Sequence, residues 1–139
     1  MMDKVVVSWQ ENMHLIAEQP GGTVSIDAGE EFGGENKGLR PKAMMLSGLG
    51  GCAGLDVAAF LKKMRVTVDT FKIEMEASLT EEHPRTYDKV KMVFKFFGKD
   101  FEKDKIQKVV DLSVDKYCGV LEMFRQFAEL EISVEYIEQ

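Results

Sequence analysis

Residues 48–54 read GLGGCAG, and the interpretation of that stretch decides the fold. Taken as G-x-G-x-x-A, Gly48, Gly50 and Ala53 form the glycine pattern that cradles a dinucleotide pyrophosphate. Taken as clearance around a thiol, the same glycines make Cys52 the centre of the motif. A dinucleotide site needs a strand directly before the glycines, a helix opening after them and repeated βαβ units. The residues in front are LRPKAMMLS, with a proline and no β-branched side chain, and a hairpin pattern follows. The glycines fall inside a helix, where their N–H groups are already engaged, so they do not hold phosphate.

That helix is expected over residues 42–64. Pro41 sits at the first turn, where its missing N–H costs nothing, and no further proline occurs up to Arg65. Lys62, Lys63 and Arg65 close it with charges that suit a helix C-terminus. Glycines at 48, 50, 51 and 54 each cost roughly 0.8–1 kcal/mol against alanine, about 3–4 kcal/mol together. Close packing of another backbone offsets such a cost, and so does access of a substrate to Cys52; spacing alone leaves both open.

Outward from the helix, short apolar stretches at 4–9, 13–17 and 23–27 are separated by turn residues and predict three strands. A glycine-rich acidic loop, AGEEFGGENKGLR at 28–40, follows; its length suggests function or mobility. Beyond the helix, Phe71, Ile73, Met75, Ala77 and Leu79 alternate with polar residues, as do Val90, Met92, Phe94 and Phe96. This period of two predicts a hairpin whose polar faces carry glutamates on one strand and lysines on the other. His83 precedes Pro84 in the turn and is read as a loop residue. Asp100 is the expected N-cap of a helix buried through Ile106, Val109 and Val110. A second helix is expected from about 116, and Ile132, Val134 and Tyr136 mark a last strand. The prediction is one α+β domain over 1–139, in the order β-β-β-α-β-β-α-α-β.

Composition narrows the function. The 139 residues carry 24 acidic against 18 basic side chains, a net charge of −6. A nucleic-acid binder would show a basic face, so no nucleic acid is expected. The two histidines lie far from either cysteine in sequence, and no metal or cofactor is expected. No apolar run approaches the roughly 18 residues of a membrane span, and the N-terminus lacks a signal-peptide pattern. A cytoplasmic location is expected, where Cys52 and Cys118, 66 positions apart, stay reduced unless they perform redox work. Two buried cysteines serving as small apolar side chains are the plain alternative.

The stretches GLGGCAGLDVAAFLKKMR (48–65) and VVDLSVDKYCGVLEMF (109–124) resemble the two cysteine segments of the OsmC/Ohr family, the osmotically induced and organic-hydroperoxide-resistance proteins. The likeness runs over about residues 5–137 and includes the proline eleven positions before Cys52, HPR at 83–85 and KYC at 116–118. It implies an intertwined α+β homodimer, β(3)-α-β(2)-α(2)-β, with a long central helix packed on a curved sheet and the cysteines at the subunit interface. It also implies a peroxidase: Cys52 would attack an organic hydroperoxide and become a sulfenic acid, Cys118 would condense with it, and a dithiol would reduce the disulfide. Peroxidase members resemble one another in a glutamate after the proline and an arginine in the N-terminal strands. Here Lys42 and Ala43 follow Pro41, and residues 4–27 contain no arginine. Arg40, Lys42 and Arg125 remain as candidate cations, while Asp56, one turn beyond Cys52, is expected to make a buried hydrogen bond. The alternative function is a non-catalytic OsmC-like domain whose thiols pack or capture a small ligand.

Overall fold

The computed structural model describes residues 1–139. It is a mixed α+β structure with two three-stranded sheets and three α-helices. The strands form two separate three-stranded sheets where a curved sheet was expected. Contacts gather into two compact units, Met1–Ser47 and Gly48–Gln139, which divide within the long helix.

In the first unit, β1 (Val6–Glu11), β2 (His14–Gln19) and β3 (Gly22–Ile26) form an antiparallel meander within two residues of the expected positions. Val7, Ala17 and Val24 align across it, as do Trp9, Leu15 and Ile26, which puts these six residues on one face. Ala17 is buried, while Trp9 on the edge strand is 70% exposed. The loop after β3 is organised rather than open. The buried Asp27 carboxylate accepts N–H groups from Ala28 at 2.7 Å, Lys37 at 3.0 Å and Glu35 at 3.2 Å. These donors, Lys37 foremost, hold its pKa below the ordinary carboxylate value. Gly34 is required here: a Cβ on it would lie 2.1 Å from the Ala28 carbonyl oxygen.

Helix α1 spans Pro41–Lys63, one residue from its expected start and end. It ends in a Schellman motif, with Val66 N–H donating to Leu61 C=O at 2.9 Å and Arg65 N–H to Lys62 C=O at 3.1 Å. Arg65 takes the left-handed conformation (φ 55°) that glycine usually fills, and buried Val66 and Leu61 supply the accompanying apolar residues. One stripe of α1, Leu49, Ala53, Val57 and Leu61, is buried. By length and composition α1 is also apolar enough to cross a membrane, which corrects the expectation that no such stretch exists. Its leucines, methionines, valine, phenylalanine and alanines give it that apolar character, and Asp56 interrupts them.

The second unit holds the remainder of α1 with β4 (Thr70–Leu79), β5 (Tyr87–Gly98), α2 (Lys103–Leu112), α3 (Gly119–Arg125) and β6 (Glu129–Glu138). Strand β5 is central, antiparallel to β4 and parallel to β6. The parallel pairing follows from the crossover through α2 and α3, which returns the chain to the end where β5 began. Register places Ile73 and Val134 on either side of Phe94, and Met75 and Ile132 on either side of Met92. Val90, Met92, Phe94 and Phe96 are at most 1% exposed and form the core with Ile106, Val109, Val110, Leu121 and Phe124. On the other face, Lys95 reaches Glu74 at 2.9 Å and Glu135 at 3.9 Å, the expected lysine–glutamate match.

Two local expectations are corrected. Asp100 is not an N-cap: it takes φ 53° in the turn after β5, and Glu102 precedes α2. The second helix begins at Gly119, not about 116, because a π-helical turn over Ser113–Tyr117 follows α2 and is closed by Cys118 N–H donating to Ser113 C=O at 2.8 Å.

Candidate functional site

The glycine cluster of α1 divides by face. A Cβ on Gly50 would meet the tail of Met75 on β4 at 2.6 Å, and one on Gly54 would touch Ile73 at 3.7 Å, so these two let the helix lie close to the sheet. Cβ atoms on Gly48 and Gly51 would meet nothing within 4 Å. Neither is needed for packing within the chain. Leu55, on the same side, is 76% exposed. Cys52 is half-buried at the edge of that open face.

Cys118 is buried and is not on a helix. It stands between the π turn and α3 with an extended backbone (φ −77°, ψ 96°), which corrects the expectation of two helical cysteines. The two thiols are neighbours in the second unit. Burial is the main cause that pushes the Cys118 thiol from 9.0 up to about 11; hydrogen bonding with the Cys52 thiol and the Asp56 charge act in the same direction, against the Leu121 N–H. Of the candidate cations, Arg125 pairs with Glu122 at 3.2 Å, and Arg40 donates to Gly38 C=O at 2.7 Å and to the Asn36 side chain.

Asp56 makes the hydrogen bond expected of it. Its Oδ2 accepts from the Ser113 hydroxyl at 2.9 Å, and Ser113 is fully buried. Ser113 was missed in the sequence, although a clue was present. Ile106, Val109, Val110, Ser113 and Val114 follow three-four spacing, and a serine on a buried stripe needs a partner.

A prediction follows for Cys118. Its raised pKa means that the folded chain keeps this proton to a higher pH than the unfolded chain does. The stabilisation is complete below pH 9.0 and is lost as pH rises through about 11. The denaturant midpoint of the native chain should therefore fall more steeply across that window than that of Cys118→Ala. Parallel pH profiles would refute the assignment.

Comparison with known proteins agrees with this architecture. A family model described as "OsmC-like protein" matches residues 34–133. Protein YhfA of Escherichia coli K12 is 28% identical over 131 residues, covering 94% of this chain and 96% of its own. The crystal structure of a hypothetical protein from Aquifex aeolicus superposes with a TM-score of 0.87 at 29% identity, over 100% of this chain and 98% of that one. An organic hydroperoxide resistance protein from Legionella pneumophila shares the fold, with a TM-score of 0.70 at 13% identity over 97% of each chain. The family model spans more than half of the sequence and both cysteine segments, and the chain belongs to the OsmC-like family.

Proposed function

We propose that the chain is a thiol-dependent peroxidase that reduces organic hydroperoxides, acting as a homodimer in the cytoplasm. The observation that carries this reading is the adjacency of a half-buried thiol, Cys52, and a buried one, Cys118, brought together from segments 66 positions apart. The fold it shares with a protein described as conferring organic hydroperoxide resistance supports the same chemistry.

The steps balance as follows. The Cys52 thiolate attacks one peroxide oxygen, the O–O bond breaks, and the alkoxide leaves as an alcohol after taking a proton. Cys52 is then a sulfenic acid. The Cys118 sulfur attacks the Cys52 sulfur, an S–S bond forms and water departs. An external dithiol reduces the disulfide by exchange and is itself oxidised to a disulfide. The test is consumption of cumene hydroperoxide with dithiothreitol as reductant. Consumption at the rate of protein-free buffer would leave the second reading, a non-catalytic domain whose thiols pack or capture a ligand. The engagement of Arg125 by Glu122 and of Arg40 by Gly38 and Asn36 favours that second reading.

The homodimer rests on α1. Only 22% of its most apolar window is buried, and Gly48 and Gly51 incur the helix cost without packing inside the chain. A second copy of this helix at close range supplies the missing contact. Obligate interfaces of this kind bury on the order of 2,000 Å² or more. Light scattering should give twice the chain mass, and Leu55→Glu should shift it towards monomer with loss of stability. A monodisperse native monomer of full stability would overturn the dimer.

A further inference from the structure

We propose that Asp56 is a positioning residue for the thiol pair: through Ser113 it fastens the turn that ends at Cys118 onto the helix that carries Cys52. The inference rests on the reading of Cys52 and Cys118 as a working pair. Asp56 lies four residues beyond Cys52 on α1, one helical turn along the same side. Its carboxylate accepts the Ser113 hydroxyl proton at 2.9 Å. Ser113 opens the π turn, and its carbonyl accepts the Cys118 N–H at 2.8 Å. Two hydrogen bonds and one turn of helix thus link one cysteine's element to the other's.

The local backbone explains why a fastening is needed. Between α2 and α3 the chain leaves α-helical geometry for a π turn and then for the extended conformation of Cys118. Such interruptions lack the uniform i to i−4 ladder that makes a helix stiff. Ser113 is 0% exposed and lies in an otherwise apolar row, so its hydroxyl would be left unsatisfied without Asp56. A side-chain bond from a carboxylate is also stronger than a neutral one. Burial is the main cause that disfavours the Cys118 thiolate, and Cys52 and the Asp56 charge act in the same direction.

The experiment measures how readily the two thiols close, independently of peroxide chemistry. The full-length chain is equilibrated with oxidised and reduced glutathione. Cys52 first exchanges with oxidised glutathione to give a mixed disulfide and one reduced glutathione. Cys118 then displaces the second glutathione and forms the intramolecular bond, so the equilibrium constant is the effective concentration of one thiol at the other. Asp56→Ala and Ser113→Ala should each lower that concentration about tenfold, and the double variant should lower it no further. Asp56→Asn keeps an acceptor oxygen and should restore it. Thermal midpoints of all four variants are recorded alongside, so a variant that fails to fold is set aside and the remaining ones decide. An effective concentration unchanged in Asp56→Ala and Ser113→Ala, or an Asp56→Asn variant as impaired as Asp56→Ala, would overturn the proposal. If the native chain forms no intramolecular disulfide, the thiol pairing itself fails. Failure to consume cumene hydroperoxide while the glutathione result holds would sink only the peroxidase.

Discussion

Replacing Cys52 with serine is expected to abolish hydroperoxide consumption, a loss on the order of 10³-fold or more as the nucleophile disappears. The rate should fall to that of dithiothreitol alone. Cys118→Ser should behave differently. Without reductant it should consume one equivalent of cumene hydroperoxide per chain and leave Cys52 as a sulfenic acid with no thiol to condense with. Further peroxide should then carry it to the sulfinic state, which adds the mass of two oxygens. Intact-mass spectra of the native chain should instead show the loss of two hydrogens and no added oxygen. Equal rates in the native chain and Cys52→Ser would exclude Cys52 as nucleophile. Two free thiols in the native chain after oxidation would exclude the pairing.

The second large effect is on stability. Phe94 lies in the central strand of the second sheet, flanked in register by Ile73 and Val134, and is 0% exposed. Phe94→Ala should cost about 3–5 kcal/mol, the transfer term for the ring plus a cavity that strands on both sides cannot close. Against a typical total of roughly 5–15 kcal/mol, that is enough to leave much of the population unfolded on mild heating. The neighbouring Lys95 faces the other way and pairs with Glu74 and Glu135 in partial contact with solvent. Lys95→Ala should hardly move the denaturation midpoint, as expected of an exposed pair. A small effect at Phe94 together with a large one at Lys95 would mean that the core lies on the opposite face.

These predictions draw unequally on sequence and structure. Period-two alternation from Phe71 to Leu79 and from Val90 to Phe96 was enough to find the hairpin and to choose its buried face, because a strand's side chains alternate whatever surrounds it. Pro41 at one end and the lysines at the other bounded α1 to within a residue. The two cysteine segments were sufficient to suggest the family. Each of these is a property of a short stretch read along its own length.

What the sequence could not supply depended on segments far apart meeting. The expected helix from about 116 assumed that α2 and α3 share regular geometry. Instead the π turn shifts the register, so Cys118 stands on extended backbone between them. No local propensity distinguishes that turn from another helical one, because the buried Ser113 bond to Asp56, 57 residues away, is part of what accompanies it. The division of labour among the glycines was hidden for the same reason. Gly50 faces Met75 and Gly51 faces open space, and composition treats them alike. Sequence by itself determined most of the elements, their order and the family resemblance that singles out the two thiols. Tertiary structure decided that those thiols are neighbours, that one is buried with its pKa raised, and that a carboxylate one turn beyond the other accepts the Ser113 hydroxyl proton. Backbone preferences act over a few residues, whereas desolvation and hydrogen bonding act between whatever the fold brings into contact.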